Sequence, residues 1–514
     1  MRAAAARVDI TPNAPLPMFG FVRRQTEATG TGLPLETTLL LLEEGDVRVA
    51  LIGVDTLGIP PPEVDDLRRA VADAAGAEVG NVLLNWNHTH NAPPACRALV
   101  EGSGALAIAG DERFDAYWRL LFERLVAAAA AASGRLEPAA IAWGTGEVDL
   151  SVNRRERSPD GEIVHGWRVD GLLDRQVVAL QARRPDDSVI ATLVGFGCHP
   201  VSVGMDFTRY SADYPGGVRE RIRSWTGGEC VFFQGAAGNV LPRVSFTEDE
   251  VEARRMGDRL AVEVVHALAD REAWPTTIVQ RFDGSLIPMI LFRRERAPQS
   301  TIHLAAAERS VRLPLQPSPT EDALAAEADD YARAADEAQQ RGAGSAELFG
   351  LLYHAKWAKH ILEDVRHGRA PTSVEGPVHA VRIGDGVIVT GPGEVFTEIG
   401  IAVKERSPGL PTLYAGYTNS ALGYFPTAAA YPEGGYEPVY SNRSYGLPAP
   451  ASPDCERILV ETGVRLAETL FPERAPFAGD DWSAGGAVPS LAHELIERPV
   501  AVAYAPPPTA HHPG

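Results

Sequence analysis

Asn87-His88-Thr89-His90-Asn91-Ala92-Pro93 closes an apolar run and sets two imidazoles two residues apart. Alternate residues of a strand face one side, so the spacing predicts that His88 and His90 point into one space. Neutral imidazole is the commonest metal ligand among side chains, and α/β enzymes carry their sites at the C-terminal ends of strands. The pair reads either as metal-binding or catalytic histidines or as two hydrogen-bonded polar residues at a strand end. Gly195-Phe196-Gly197-Cys198-His199-Pro200 repeats the arrangement, with a proline that stops the strand and fixes the turn after the histidine. Cys198 is expected to face away from His199 as a small core residue. A lone histidine is ordinarily structural; the repeated strand-end position sets His199 apart.

Two other turns carry candidate groups. Phe232-Phe233-Gln234-Gly235-Ala236-Ala237-Gly238-Asn239 is a buried strand entering a turn of small residues. Its backbone N–H groups could approach an anion or a developing oxyanion, although a tight turn without function is the plainer reading. It lacks the Lys-Ser/Thr ending of a phosphate loop. Gly391-Pro392-Gly393-Glu394 reads as a strand-to-helix junction, with a helix beginning near Glu394. A carboxylate in the first turn of a helix complements the dipole without any further role. Alternatively, Glu394 joins two histidines, and two histidines with one carboxylate around an open fourth position is a common catalytic zinc set. The loop Tyr424–Tyr436, preceded by Asn419, offers phenols that could pack or could reach a metal or an oxyanion.

The elements that must position these groups follow from the apolar pattern. Strands are predicted over Thr37–Glu43, Val47–Val54, Asn81–Asn87, Ala139–Leu150, Gln176–Ala182, Ser188–Gly197, Val378–Ile383 and Gly386–Thr390. Helices are predicted from Pro61-Pro62 to about Ala75, and over Phe114–Ala132, Ala212–Ser224, Glu248–Asp270 and Pro453–Leu470. Ser158-Pro159-Asp160-Gly161 reads as the turn of a hairpin. Residues 318–368 read as a helical hairpin, its first helix starting with Ser318 as N-cap, Pro319 at the first position and Glu321 three residues on. Strands interleaved with helices imply an α/β fold, a mixed β-sheet core with flanking helices in a single large catalytic domain over 1–475. Residues 476–514, rich in proline and alanine and carrying His511-His512, are expected to be a disordered tail.

The chain of 514 residues carries 48 basic and 68 acidic side chains, a formal charge of -20 that argues against nucleic acid as a partner. Four cysteines without a Cys-x-x-Cys pair suit a reducing compartment. Neither a secretory leader nor a membrane-spanning run is visible. A cytoplasmic protein is therefore expected. Nothing in the pattern indicates an oligomeric state.

Several segments, taken in order, resemble the neutral/alkaline non-lysosomal ceramidase family. They are Asp9-Ile10-Thr11-Pro12, His88-Thr89-His90, Asn153-Arg154, His199-Pro200, Ser211-Ala212-Asp213, Gln234 to Asn239, Pro392-Gly393-Glu394 and the pair Tyr424 and Tyr436. The resemblance covers about residues 1–470. It implies Zn2+ held by His88, His199, Glu394 and Tyr424, with His90, Tyr436 and Arg154 as catalytic residues. Gln234, Gly235 and Asn239 line the substrate in this scheme. Members cleave the amide of N-acyl sphingoid bases, so the resemblance implies a zinc-dependent hydrolase of a carbon–nitrogen bond in a small acyl amide. Zinc lowers the pKa of a bound water to about 7. The hydroxide so formed would attack the carbonyl, with His90 and Tyr436 donating to the oxyanion and Arg154 holding a polar group. Two departures stand out. Gly235 occupies the position of the family's proposed serine nucleophile, which leaves a covalent serine step without its nucleophile. The C-terminal β-sandwich domain of characterised members is also not expected beyond residue 475. A smaller amide, or an ester or lactone, is then an equally good substrate. A non-catalytic lipid- or carbohydrate-binding relative is the remaining alternative, but it would be expected to lose ligands, and all four ligand positions are filled.

Overall fold

Strand β2 (Glu36–Glu44) has the run Leu39-Leu40-Leu41-Leu42, apolar on both faces, and both faces are covered. Leu39 and Leu41 pack with Val64, Leu67 and Val71 of the helix Glu63–Ala75 and Leu121 and Leu125 of the helix Glu112–Ser133. Leu40 and Leu42 pack instead with Val178, Leu180, Leu193, Ile383 and Ile388 of other strands. This strict alternation is the physical basis of the layering. In this computed structural model, which describes residues 1–21, 24, 26–97, 99, 111–283, 289–296 and 302–474, the layers run helix, sheet, sheet, helix.

The first layer of strands is a five-stranded sheet of order β4-β3-β2-β1-β5, with β1 (Arg2–Asp9), β3 (Val47–Val54), β4 (Val82–Trp86) and β5 (Glu137–Pro138). The second layer holds two four-stranded sheets. One has the order β11-β10-β9-β6, from β6 (Ala140–Glu147), β9 (Gln176–Arg183), β10 (Val189–Phe196) and β11 (Glu229–Gln234). The other has the order β15-β16-β17-β19, from β15 (Leu304–Pro314), β16 (Ser373–Ile383), β17 (Gly386–Thr390) and β19 (Thr412–Ala415). The outer face of the β6–β11 sheet is closed by the helices Asp213–Thr226 and Val251–Ala269, through Val218, Ile222, Leu260 and Val264. That of the β15–β19 sheet is closed by Thr397–Arg406 and Asp454–Leu470, through Ile399, Val403, Leu459 and Val464. Each large sheet contains one parallel pair: β3 with β4, β10 with β11, and β17 with β19. These three pairs aim their C-terminal ends at the site.

The mixed α/β class matches the expectation, but the strands form several sheets and not one core sheet. Met1–Ala475 form a compact unit, and the tail expected over 476–514 lies outside the described residues. Strand β7 (Ser151–Arg157) and β8 (Ile163–Arg168) make the hairpin expected around Ser158–Gly161, and β12 (Val240–Pro242) pairs with β7. The helical hairpin is present as Glu321–Gln340 and Ser345–Arg366, but its N-cap is Thr320, whose side chain accepts from Ala323 N, and not Ser318. The helix expected near Glu394 starts at Thr397; Glu394 and Val395 form a short strand paired in parallel with Tyr424 and Phe425. Among the described residues no helix is long and apolar enough to cross a membrane.

Candidate metal centre

His88, His90 and His199 offer ring nitrogens that lie within 4.8 Å of one another. The ring centroids of His88 are 5.2 Å from His90 and 5.0 Å from His199. The strand argument for His88 and His90 reaches the right neighbourhood by the wrong route. Strand β4 ends at Trp86, and His88 sits in the left-handed region at φ 69°. A histidine rarely adopts that conformation, which costs about 1–3 kcal/mol and persists where surrounding structure imposes it. Here Asn87 N and His88 N bond to Val54 O and Thr56 O, carrying the β3–β4 register past the strand end into the turn.

His88 and His199 are held alike. Nδ1 of His88 donates to Leu57 O at 2.6 Å, and Nδ1 of His199 to Ala237 O at 2.7 Å. A carbonyl only accepts, so each Nδ1 carries a proton and each ring turns its Nε2 toward the same point. Both Nε2 atoms face one carboxylate oxygen, Glu394 Oε2, at 3.2 Å from His88 and 3.1 Å from His199. Burial lowers the His199 pKa to about 4, keeping it neutral. Burial works against the Glu394 charge, yet His88 and His199 hold its carboxyl well below the usual range. Two imidazole nitrogens and one carboxylate oxygen thus converge on one buried point. A cation is what such a donor set accommodates, and anchoring Nδ1 on backbone carbonyls is the usual way of orienting a ligating histidine. His90 adds to the case: both of its ring nitrogens are buried without a hydrogen-bond partner. Burial, with His88 and His199 alongside, lowers its pKa well below the ordinary value. Gly20, at φ 117°, crosses directly over the His90 ring, where a Cβ would come within 2.6 Å.

Around the carboxylate stand phenols. Tyr417 OH donates to Glu394 Oε2 at 3.4 Å, and Tyr445 OH donates to Oε1. Neither residue is singled out by the sequence pattern, whose tyrosine-rich loop stops short of both. Tyr424, expected beside the carboxylate, has its hydroxyl 3.2 Å from Arg154 Nη2. Burial and the Glu394 charge push its pKa up, while Arg154 favours the phenolate. Tyr436 lies with its ring 5.6 Å from that of Tyr424 and its hydroxyl 3.4 Å from Ser444 Oγ. Arg154 comes from β7 and is fully buried, its Nε donating to Glu437 Oε1 at 2.7 Å.

The turn after β11 is brought to the same place, but its polar groups are largely taken up by the chain. Gln234 Nε2 donates to Asn87 O at 3.0 Å and Cys198 O at 2.7 Å, and its Oε1 accepts from Cys198 N at 3.2 Å. It thereby ties the His88 turn to the His199 turn. Asn239 Oδ1 accepts from Thr397 N at 2.9 Å, and its Nδ2 donates to Glu398. The nest expected here is filled in part, since Gly235 N and Gly238 N donate to Phe196 O and Val395 O. Cys198 faces the core with Val194, Phe196 and Tyr214, as expected.

No protein-family model matches the chain, and no curated protein sequence matches it. Solved structures do, among them two ceramidases. One is a ceramidase complexed with C2, at 16% identity and a TM-score of 0.62, covering 93% of this chain and 76% of that one. The other is the neutral ceramidase from Pseudomonas aeruginosa, at 17% identity and a TM-score of 0.59, with the same coverage of 93% and 76%. This chain therefore has the fold of neutral ceramidases, across nearly all of its own length.

Proposed function

We propose that this protein is a zinc-dependent hydrolase of a small acyl amide, with His88, His199 and Glu394 as the protein ligands. The observation that carries the reading is the convergence of two carbonyl-anchored imidazoles on one buried carboxylate oxygen. The ceramidase fold supports amide hydrolysis over unrelated metal chemistry. Two neutral nitrogens and one carboxylate suit zinc, which takes such sets at catalytic sites with a position left open. Tyr424 is the candidate fourth donor, since the Arg154 guanidinium beside it favours the phenolate a cation would take. When bound, zinc supplies a hydroxide nucleophile at neutral pH and polarises the carbonyl.

The remaining residues act on the substrate. His90, neutral and with both nitrogens unpartnered, can donate an N–H to a developing oxyanion. Tyr436, whose only hydroxyl partner among the described residues is a 3.4 Å contact to Ser444, can turn its O–H to the same charge. Such donors act through preorganisation. Arg154, its charge balanced by Glu437, keeps Tyr424 in place and presents its guanidinium edge to a polar substrate group. Gln234 fixes the spacing of the two histidine turns, and Gly235 lets β10 and β11 approach beneath them. Cys198, Cys230 and Cys455 are buried and form no disulfide, in keeping with a proposed cytoplasmic setting.

The test is direct. The purified protein is expected to carry about one zinc per chain, to lose turnover on chelation, and to cleave N-acyl amines or N-acyl amino acids in a substrate panel. Cleavage of only esters or lactones in that panel would move the assignment to the same metal chemistry with an alkoxide leaving group. A protein that holds no metal overturns it.

A further inference from the structure

The two oxygens of Glu394 are not equivalent. Oε2 faces His88 and His199, whereas Oε1 receives the Tyr445 hydroxyl. The terminal torsion of a glutamate is soft, and the Tyr445 bond to Oε1, with the longer Tyr417 contact on Oε2, fixes the plane in which Oε2 meets the imidazoles. Tyr445 itself stands at the end of the short 3-10 helix Ser441–Tyr445, far along the chain from any ligand.

That segment is clamped by the helical hairpin. Arg443 donates through Nη2 to Glu327 Oε1 at 2.7 Å, and its Nη1 lies 2.9 Å from His354 Nδ1. Its guanidinium stacks 4.4 Å over the Trp357 ring and also meets Tyr331 and Tyr440. Trp357 Nε1 donates to Leu447 O at 3.2 Å, and Tyr353 OH reaches Ser444 Oγ at 3.4 Å. Contacts from both hairpin helices thus bracket Tyr445 on either side in sequence.

We propose that Tyr445 is a positioning residue for Glu394, and that the helical hairpin, through Arg443, sets where Tyr445 stands. The hairpin is then part of the metal site's outer support. The inference rests on the zinc reading above. It goes beyond that reading by assigning work to a hairpin that, among the described residues, makes no hydrogen bond or ion pair to a proposed ligand, and to a tyrosine outside the expected set.

The test is zinc affinity measured by competition with a chromophoric chelator, on full-length wild type, Y445F, R443Q and the double variant, with circular dichroism to confirm folding. Y445F is expected to weaken zinc about 10–100-fold, the usual cost of losing an outer-shell partner. R443Q is expected to weaken zinc in the wild-type background and to add less than about twofold once Tyr445 is phenylalanine, because both act through one hydroxyl. Should R443Q fail to fold, W357F, which removes the donor to Leu447 O, takes its place in the same cycle. An unchanged zinc affinity in Y445F overturns the proposal. Equal weakening by the Arg443 change in both backgrounds overturns the role of the hairpin. A wild-type chain that binds no zinc removes the metal reading itself and is distinguishable from either result.

Discussion

His199 Nε2 stands 3.1 Å from Glu394 Oε2, with both side chains nearly excluded from solvent. Since His199 Nδ1 is committed to Ala237 O, the ring has no freedom to turn its other nitrogen away. Replacing His199 with alanine removes one donor and leaves His88 as the one imidazole of the pair still facing Glu394 Oε2. Zinc retention and turnover are both expected to be lost in H199A, measured by elemental analysis after dialysis and by hydrolysis of the best amide in the panel. Full turnover in H199A would end the metal assignment.

Tyr436 tests a different part of the site. Among the described residues its hydroxyl bonds to Ser444 and its ring packs on Tyr424 and His165, not through a hydrogen bond to His88 or His199, so its loss should leave the metal in place. As an oxyanion donor, its removal in Y436F is expected to lower kcat about 10²–10³-fold. Bound zinc, from the same elemental analysis, should match wild type. Loss of zinc together with activity would move Tyr436 from the substrate to the support of the metal.

The strands that lead to the site were legible where apolar runs are unbroken, as in Leu39–Leu42 and Val189–Phe196. Strand β1 was not: Ala3 to Ala6 favour a helix by propensity, and only pairing with β2 makes them extended. The outer hairpin of β13 (Thr276–Asp283) and β14 (Met289–Arg296) was missed for a related reason, since its apolar residues are mixed with arginines and stay exposed. His88, His199 and Glu394 could be picked out by position after strands and by the family resemblance. Tyr417 and Tyr445 could not. Tyr417 meets Glu394 because the chain after β19 returns beside β4, where Trp86 N bonds to Tyr417 O at 2.9 Å, and no local spacing encodes that return.

Gly235 occupies a point of contact between backbones. A Cβ there would lie 2.9 Å from both Gly197 Cα and Gly197 N. Restoring a serine at this position therefore pushes on the turn that leads to His199. G235S is expected to cost about 1–3 kcal/mol, the usual penalty for overpacking, and to bring no gain in turnover. Denaturant unfolding and steady-state kinetics check both halves. A stable G235S enzyme that is markedly faster than wild type would favour attack by a serine over the zinc-supplied nucleophile.

The charge on Glu437 is the last dependence open to direct measurement. Its carboxylate is fully buried and takes Arg154 Nε at 2.7 Å on one oxygen and Arg155 Nη1 at 2.6 Å on the other. Burial opposes its ionisation, but the two guanidinium groups and His165 hold it well below the ordinary 4.5. A carboxyl with a lower pKa in the folded state stabilises fully above its unfolded value and loses that contribution as pH falls toward the folded one. E437Q keeps the shape but removes the negative charge, leaving the buried Arg154 without its carboxylate and Arg155 with only the 3.4 Å pair to Glu433. At pH 7 the substitution is expected to cost about 3–5 kcal/mol. The deficit should hold steady down to about pH 5 and shrink below 4.5, as wild type itself begins to lose the contribution. Unfolding midpoints of both proteins across that range decide the matter, and a deficit that does not change below pH 4.5 would show that the Glu437 charge is not what holds Arg154 and Arg155 together.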